Sequence, residues 1–149
     1  MKKEALILIG PSGAGKSTFT RKYRQQHATW VVASRDAIRE ALVPGHKQWW
    51  YKEPLLDERE DAVTEVIHTI IKNSAQVIID ETNLNRKRLQ RLEHYLHFLG
   101  FDIKYKIVGA DIPLDELKRR VIERDGPIDV SYIDKQYAIF QELKNQICC

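Results

Sequence analysis

Four short apolar segments alternate with longer amphipathic segments along the chain. "ALILIG", "WVVAS" and "QVIID" are almost continuously apolar, which is typical of strands covered on both faces. In the fourth segment, "FDIKYKIVGA", apolar residues alternate with charged ones from Asp102 to Ile107. That alternation predicts an edge strand with one hydrated face.

The segments between and after these strands have the spacing of amphipathic helices, predicted over residues 57–72, 86–99, 113–124 and 130–145. The apolar face of the first consists of Val63, Val66, Ile67, Ile70 and Ile71, and that of the second of Leu89, Leu92, Leu96 and Leu99. For the second helix, Asn85 is the predicted N-cap and Gly100 the stop. Strands alternating with helices of this length predict a parallel sheet in an α/β sandwich, a fold that binds ligands at the carboxyl ends of its strands.

The composition fits one ordinary globular domain. The chain has 149 residues, of which 43% are hydrophobic and 30% charged, and its net charge of +3 neither requires nor opposes a nucleic-acid partner. Its apolar runs are too short for a membrane span or a signal peptide, so we expect no membrane contact and a cytoplasmic location. The adjacent Cys148 and Cys149 have neither disulfide-framework nor metal-ligand spacing, and predict a reduced tail.

The segment "GPSGAGKST" lies between the first strand and a predicted helix and fits the P-loop pattern. Its glycines let backbone N–H groups wrap a β-phosphate at the helix N-terminus. Lys16 can reach the β- and γ-phosphates, and the Ser17 hydroxyl can ligate Mg²⁺. The predicted ATP-binding residues are Gly10, Ser12, Gly13, Ala14, Gly15, Lys16, Ser17 and Thr18.

Other sequence features narrow the use of the triphosphate. The chain contains neither the Asn-Lys-x-Asp nor the Asp-x-x-Gly motif that a GTPase needs. A motor or AAA-type machine would normally be larger and carry a second subdomain with an arginine finger. A kinase for a small molecule or a polynucleotide needs only a phosphate cradle, an acceptor site and a lid, and therefore fits the length.

The second strand ends in the charged segment "SRDAIRE". At this end of the sheet, the Asp36 carboxylate can orient an acceptor hydroxyl in line with the γ-phosphate. Arg39, one helical turn later, can hold a phosphate already present on the acceptor. The alternative is that Asp36 caps the helix, while Arg35 and Arg39 form a solvated face.

The segments "GPSGAGKST", "SRDAIRE", "IIDETNLN" and "LKRRVIERDGPIDV", in this order, resemble the kinase domain of bacteriophage-type 5′-hydroxyl polynucleotide kinases over nearly the whole chain. The resemblance implies one P-loop domain over residues 1–149, with a parallel sheet in the order 2-3-1-4. It implies Mg²⁺-dependent transfer of the ATP γ-phosphate to the 5′-OH end of DNA or RNA, in end healing or repair. Asp36 would be the general base, and Arg39 would contact the phosphate on the 3′ side of the acceptor nucleotide. Since no Asp-x-Asp-x-Thr signature is present, 3′-phosphatase activity is not predicted.

The segment "IIDETNLN" supplies further candidates. Asp80 can hold Mg²⁺ through water, with Ser17 as the second metal-site residue. The predicted acceptor-binding residues here are Glu81, Thr82 and Asn83, although the family more often has aspartate at the position of Glu81. The alternative for Thr82 and Asn83 is a simple turn before the helix.

A lid is predicted at about residues 113–127. Arg120 and Arg124 are four residues apart, so both can face the triphosphate and neutralise charge as its β–γ bond breaks. The alternative is a surface helix with ion pairs such as Glu116–Arg120. After the lid, Val130 is a candidate apolar contact to the acceptor base.

The segment "GHKQWWYKEP" from Gly45 to Pro54 carries Trp49, Trp50 and Tyr51 beside basic residues. These aromatics either stack on bases or fill a gap between sheet and lid, unless they form a subunit contact. His94 and His97 are expected to be solvated. Two alternatives to the polynucleotide kinase stay open from the sequence. One is a kinase for a small polar metabolite such as a sugar acid or nucleoside, and the other is a non-catalytic ATP-binding switch module. It gives no oligomeric state.

Overall fold

The chain folds around a parallel four-stranded sheet in a computed structural model that describes residues 2–52 and 54–147. The strands are β1 (Lys3–Ile9), β2 (Val31–Ala33), β3 (Gln76–Ile79) and β4 (Phe101–Ile107), in the order β2-β3-β1-β4. All neighbouring strands are parallel. The predicted fold class and strand order are thus confirmed, whereas Cys148 and Cys149 lie outside the described residues.

The helices connect and cover the strands. They are α1 (Lys16–Gln26), α2 (Arg35–Leu42), α3 (His46–Trp49), α4 (Leu56–Lys72), α5 (Arg86–Phe98), α6 (Leu114–Asp125) and α7 (Tyr132–Gln146), with a 3₁₀ turn at Trp50–Lys52. As predicted, the Asn85 side chain caps α5 by accepting a hydrogen bond from the Arg88 amide. Gly100, the predicted stop, follows the end of α5 and has a φ of 87°.

Alternate residues of β1 face two separate layers of the core. Ala5, Ile7 and Ile9 belong to a cluster that includes residues of α4, α5 and α7. Leu6 and Leu8 belong to a second cluster, against which the α1 aromatics pack. The sheet is therefore covered on both faces at its centre.

Two predictions about burial need correction. Strand β2 was expected to be covered on both faces, but Val31 is 39% exposed, because the strand is short and pairs with β3 alone. On α4, Val66 is 41% exposed, whereas Val63, Ile67 and Ile71, spaced four residues apart, are buried. By contrast, β4 is an edge strand with exposed Asp102, Lys104 and Lys106, as its alternation predicted.

Neither a membrane span nor a metal cluster is evident in the described part of the chain. None of its helices is long and apolar enough to cross a membrane. His94 and His97 are exposed, as predicted. Residues 2–52 and 54–147 contain no group of three or more His, Cys, Asp or Glu side chains that could hold a metal ion.

Candidate active site

The loop between β1 and α1 has the backbone path of a phosphate cradle. Gly13 and Gly15 have φ values of 85° and 98°, in the left-handed region that residues with a Cβ avoid. A Cβ on Gly13 would also lie 2.7 Å from the Leu117 carbonyl oxygen. The loop ends at the N-terminus of α1, where the helix dipole favours an anion.

The Lys16 ammonium folds back over this loop. It donates hydrogen bonds to the carbonyl oxygens of Gly10 at 2.8 Å and Pro11 at 2.9 Å. Burial lowers the pKa of Lys16 to about 8, against the opposing pull of the carboxylates of Asp80 and Asp36. A bound polyphosphate would supply the negative charge that this buried ammonium lacks.

Asp80 and Ser17 form the part of the site best suited to a divalent cation. The Asp80 carboxylate accepts hydrogen bonds from Thr20 Oγ1 at 3.2 Å and from the Ser17 hydroxyl. Burial raises the pKa of Asp80. A carboxylate and a hydroxyl are hard oxygen donors, so the pair fits Mg²⁺ completed by water and phosphate oxygens.

One cavity of about 340 Å³ brings most of the predicted site residues together. Its lining includes the P-loop with Lys16 and Ser17, the ends of β2 and β3, and the two arginines of α6. The predicted members found there are Ser12, Gly13, Gly15, Lys16, Ser17, Thr18, Asp36, Asp80, Glu81, Thr82, Arg120 and Arg124.

Asp36 faces this cavity from the first turn of α2. The N-cap of α2 is Ser34, whose side chain accepts a hydrogen bond from the Ala37 amide at 3.2 Å. The alternative that Asp36 caps the helix is therefore wrong. The Asp36 carboxylate, which lines the cavity, accepts a hydrogen bond from Arg39 at 2.9 Å.

Arg39 is held by a carboxylate that the sequence did not single out. Its Nε and Nη2 donate to the two carboxylate oxygens of Glu60 at 3.0 Å each, and its side chain is only 12% exposed. Burial alone would lower the pKa of Arg39, but the hydrogen bonds to Glu60 raise it. Arg39 is thus not part of a solvated face, and three of its five N–H donors are used within the protein.

Glu60 also accepts a hydrogen bond from the indole Nε1 of the fully buried Trp50 at 2.7 Å. Burial would raise the pKa of Glu60, but its hydrogen bonds to Arg39 and Trp50 lower it. A buried indole N–H needs an acceptor, and this need was the one sequence signal that pointed to such a carboxylate. Trp50 is thus part of the main core cluster, and a place between sheet and lid stays a prediction.

His46 is a further residue of the site that sequence reasoning missed. It is 5% exposed, and its Nδ1 lies 2.9 Å from Glu40 Oε2, while its Nε2 lies 3.4 Å from Asp36 Oδ1. Asp36 is consequently flanked by Arg39 and His46, both held by glutamates. We call Asp36, Arg39, His46, Glu40, Glu60 and Trp50 the acceptor network, after the roles predicted for Asp36 and Arg39.

The segment after β3 is tied to backbone groups of its neighbours. Glu81 Oε1 accepts a hydrogen bond from the Arg35 amide at 2.6 Å, and burial raises the Glu81 pKa to about 7. The Thr82 carbonyl accepts from the Gly10 amide at 3.2 Å. Asn83, with φ of 54°, donates from Nδ2 to the Leu8 carbonyl at 2.6 Å. These contacts are those of an ordered turn, and the acceptor-binding roles of the three residues stay predictions.

Helix α6 packs directly on the P-loop. Leu117 and Val121 are fully buried in a cluster with Ala14, and Arg120 donates to the Gly13 carbonyl at 3.3 Å. Arg120 also pairs with Glu116 at 3.1 Å, so the predicted surface ion pair exists beside the contact with the phosphate loop.

The end of α6 is anchored as well. Arg124 donates through Nε and Nη2 to the two carboxylate oxygens of Asp125, at 2.9 Å each. Lys47 of α3 pairs with the same carboxylate at 2.8 Å. At the start of α7, the Gln136 side chain accepts a hydrogen bond from the Ser12 amide at 2.9 Å, which is a further P-loop contact that the sequence did not predict.

Two groups of predicted contacts lie apart from the phosphate cavity. Val130 packs against the cluster of Leu117 and Val121 on α6, and it lines neither the phosphate cavity nor the larger cavity of about 790 Å³. Trp49 and Tyr51 are 54% and 60% exposed, and Lys52 Nζ lies 5.2 Å from the Trp49 ring centroid. Their role in base stacking stays a prediction.

Comparison with protein families gives a match over residues 6–143 to AAA_33, described as an AAA domain. Among curated proteins, the chain is 25% identical to the adenylate kinase of Archaeoglobus fulgidus over 126 residues. That alignment covers 80% of this chain and 58% of the adenylate kinase. The chain thus spans less than two thirds of that relative.

Among solved structures, the chain resembles a chain of the Pnkp1/Rnl/Hen1 RNA repair complex, with a TM-score of 0.77 and 30% sequence identity. The match covers 99% of the present chain and 47% of the chain in that complex. A gluconokinase from Sinorhizobium meliloti 1021 has a TM-score of 0.55 at 16% identity, over 98% of this chain and 75% of that one, and shares the fold alone. These relatives support a P-loop domain of the kinase type.

Proposed function

We propose that this chain, which belongs to the AAA_33 family of P-loop domains, transfers the γ-phosphate of ATP to the 5′-hydroxyl end of a polynucleotide. Although AAA_33 is described as an AAA domain, the geometry of the site supports a kinase. The observation that carries it is that Asp36 shares one cavity with the P-loop lysine and the two arginines of α6.

In the proposed reaction, Asp36 accepts a hydrogen bond from the acceptor hydroxyl and takes its proton. The hydroxyl oxygen forms a bond to the γ-phosphorus, while the bond from that phosphorus to the β–γ bridging oxygen breaks and ADP leaves. Lys16, Arg120 and Arg124 neutralise the charge that develops on the phosphates. Ser17 and Asp80 would hold Mg²⁺, which when bound would supply further positive charge at the phosphates.

The preference for a polynucleotide acceptor rests on Arg39 and on the RNA-repair relative. Two N–H donors of Arg39 remain beyond its contacts with Asp36 and Glu60, and they can bind a phosphate next to the reacting hydroxyl. The relative, whose solved complex is an RNA repair complex, is 30% identical over nearly the whole of this chain.

We also propose that residues 113–127 act as a lid over the triphosphate.

Transfer of label from γ-labelled ATP, with Mg²⁺, to a 5′-OH oligonucleotide tests the proposal. Wild-type protein should label the oligonucleotide, and Asp36→Ala and Lys16→Ala should not. An oligonucleotide that already carries a 5′-phosphate is the matched negative acceptor. Absence of label on the 5′-OH oligonucleotide, with ATP still bound, would contradict the proposal.

A kinase for a small polar metabolite is the second candidate. The cavity beside the active site, about 790 Å³, has the size of a small-ligand pocket, and Asp57 and Asp61 on its wall could accept hydrogen bonds from sugar hydroxyls. A panel of sugar acids and nucleosides in the same assay separates the two. Label on a panel member and none on the oligonucleotide would favour the metabolite kinase.

A further inference from the structure

The larger cavity, about 790 Å³, occupies a cleft between α4 and α5. Glu81 and Thr82 line both this cleft and the phosphate cavity. Arg39 lines the cleft and donates a hydrogen bond to Asp36, which lines the phosphate cavity. The cleft therefore leads away from the point where an acceptor hydroxyl would meet the γ-phosphate.

The α5 wall of this cleft carries two arginines, Arg88 and Arg91. They are three residues apart, so they project from the same side of the helix. Neither forms an ion pair with any residue in 2–52 or 54–147. In this respect they differ from Arg35 and Arg39, which line the same cleft but pair with Glu60.

The opposite wall defines where an anion can lie. Asp57 and Asp61 of α4 line it and would repel a phosphate, so a polyanion is favoured only along the α5 side. At the near end, the exposed Tyr51 ring lines the cleft beside Arg39 and offers a surface for base stacking.

We propose that this cleft binds the acceptor strand on the 3′ side of its terminal nucleotide, with Arg88 and Arg91 contacting phosphodiesters beyond the one assigned to Arg39. The inference rests on the proposed nucleic-acid acceptor and deepens it, because it predicts a site for several nucleotides of single strand. A mononucleotide acceptor would reach only Arg39, whereas a longer strand would reach the α5 arginines as well.

Binding without catalysis gives the first test. A 3′-fluorescein 5′-OH oligonucleotide of about ten nucleotides is titrated at several salt concentrations, without ATP or Mg²⁺, and anisotropy is measured. Each phosphate contact on a single strand contributes about 0.7 to the slope of log K against log salt. The Arg88→Ala/Arg91→Ala variant should therefore lose about 1.4 from that slope and bind on the order of 10-fold more weakly.

Arg86→Ala is the matched control, because it removes one arginine from the same helix. Arg86 pairs with Glu142 at 3.1 Å, is half exposed and does not line the cleft, so its slope should equal the wild-type slope. Arg88→Lys/Arg91→Lys keeps the charges and should keep the slope, which separates charge loss from misfolding. Equal slopes for the double alanine variant and Arg86→Ala, or no binding by the wild type, would overturn the inference.

Acceptor length gives the second test. The double alanine variant should raise the KM for the oligonucleotide on the order of 10-fold and change that for a nucleoside 3′-monophosphate by less than about 2-fold. A changed salt slope with no labelling of any 5′-OH end would support strand binding in the cleft and contradict the proposed kinase activity. Labelling with an unchanged slope and an unchanged length dependence would support the kinase activity and contradict strand binding in the cleft.

Discussion

The two sides of the candidate active site that we propose to bind the donor and the acceptor are built in different ways. The donor side is a contiguous loop, Gly10–Thr18, whose function depends on backbone conformation and on one lysine held by the carbonyls of the loop itself. The acceptor side is the acceptor network, whose members come from α2, α3, the 3₁₀ turn and α4.

Because of this difference, we expect mutations on the two sides to have different effects. A change in the donor loop should remove ATP binding or transfer directly. A change in the acceptor network should first disturb how Asp36 and Arg39 are held, because each is positioned by other side chains with their own partners. ATP affinity is therefore the readout that separates the two sides.

The largest effect is expected at Glu60. Glu60→Ala leaves the largely buried Arg39 guanidinium and the Trp50 indole without their acceptor, so the free energy of unfolding should fall by about 3 kcal/mol, with little change in ATP affinity for the folded protein. Urea unfolding followed by circular dichroism measures the loss.

Two variants sharpen that result. Glu60→Gln keeps an acceptor for the indole and should cost less than Glu60→Ala. Glu142→Ala breaks the exposed ion pair between Glu142 and Arg86 and should change the free energy of unfolding by less than about 1 kcal/mol. If Glu60→Ala were no more destabilising than Glu142→Ala, the network would not hold the acceptor side together.

The next effect is the pH dependence of stability caused by Glu81. Its pKa is raised from 4.5 to about 7, so the native state keeps the proton in a pH range where the unfolded chain has lost it. This contribution is fully present below pH 4.5 and is lost as the pH rises through 7. Between pH 5 and pH 8 the free energy of unfolding should fall by about 2.5 kcal/mol from this cause.

Glu81→Gln should remove that dependence, since glutamine can still accept from the Arg35 amide but does not titrate. The measurement is the difference in unfolding free energy between wild type and variant across this pH range. A difference that stays constant from pH 5 to pH 8 would show that Glu81 titrates at its ordinary pKa.

The smallest effect is expected at His46. His46→Ala removes one of the two groups that flank Asp36, so kcat for the 5′-OH oligonucleotide should fall on the order of 10-fold, while the KM for ATP stays unchanged. His46→Gln retains a side-chain donor and should recover part of the loss. The exposed His94 supplies the control His94→Ala, and an equal kcat for the two alanine variants would exclude a positioning role for His46.

Sequence reasoning succeeded where the signal was local. The P-loop, the cap Asn85, the edge strand β4 and the place of Asp36 at the end of β2 all follow from adjacent residues. It failed where a residue's role depends on distant packing. Glu60 contacts an arginine 21 positions earlier in the chain, and the exposure of Val31 follows from its place at the sheet edge.

The most direct test of the central claim compares Asp36→Asn with the wild type in two measurements, kcat for phosphorylation of a 5′-OH oligonucleotide and Kd for ATP. Asparagine keeps the size of the side chain and an oxygen that can accept from Arg39, but it cannot take the hydroxyl proton. The account predicts a fall in kcat on the order of 10²-fold or more, with the Kd for ATP changed by less than about 3-fold. An unchanged kcat would contradict it.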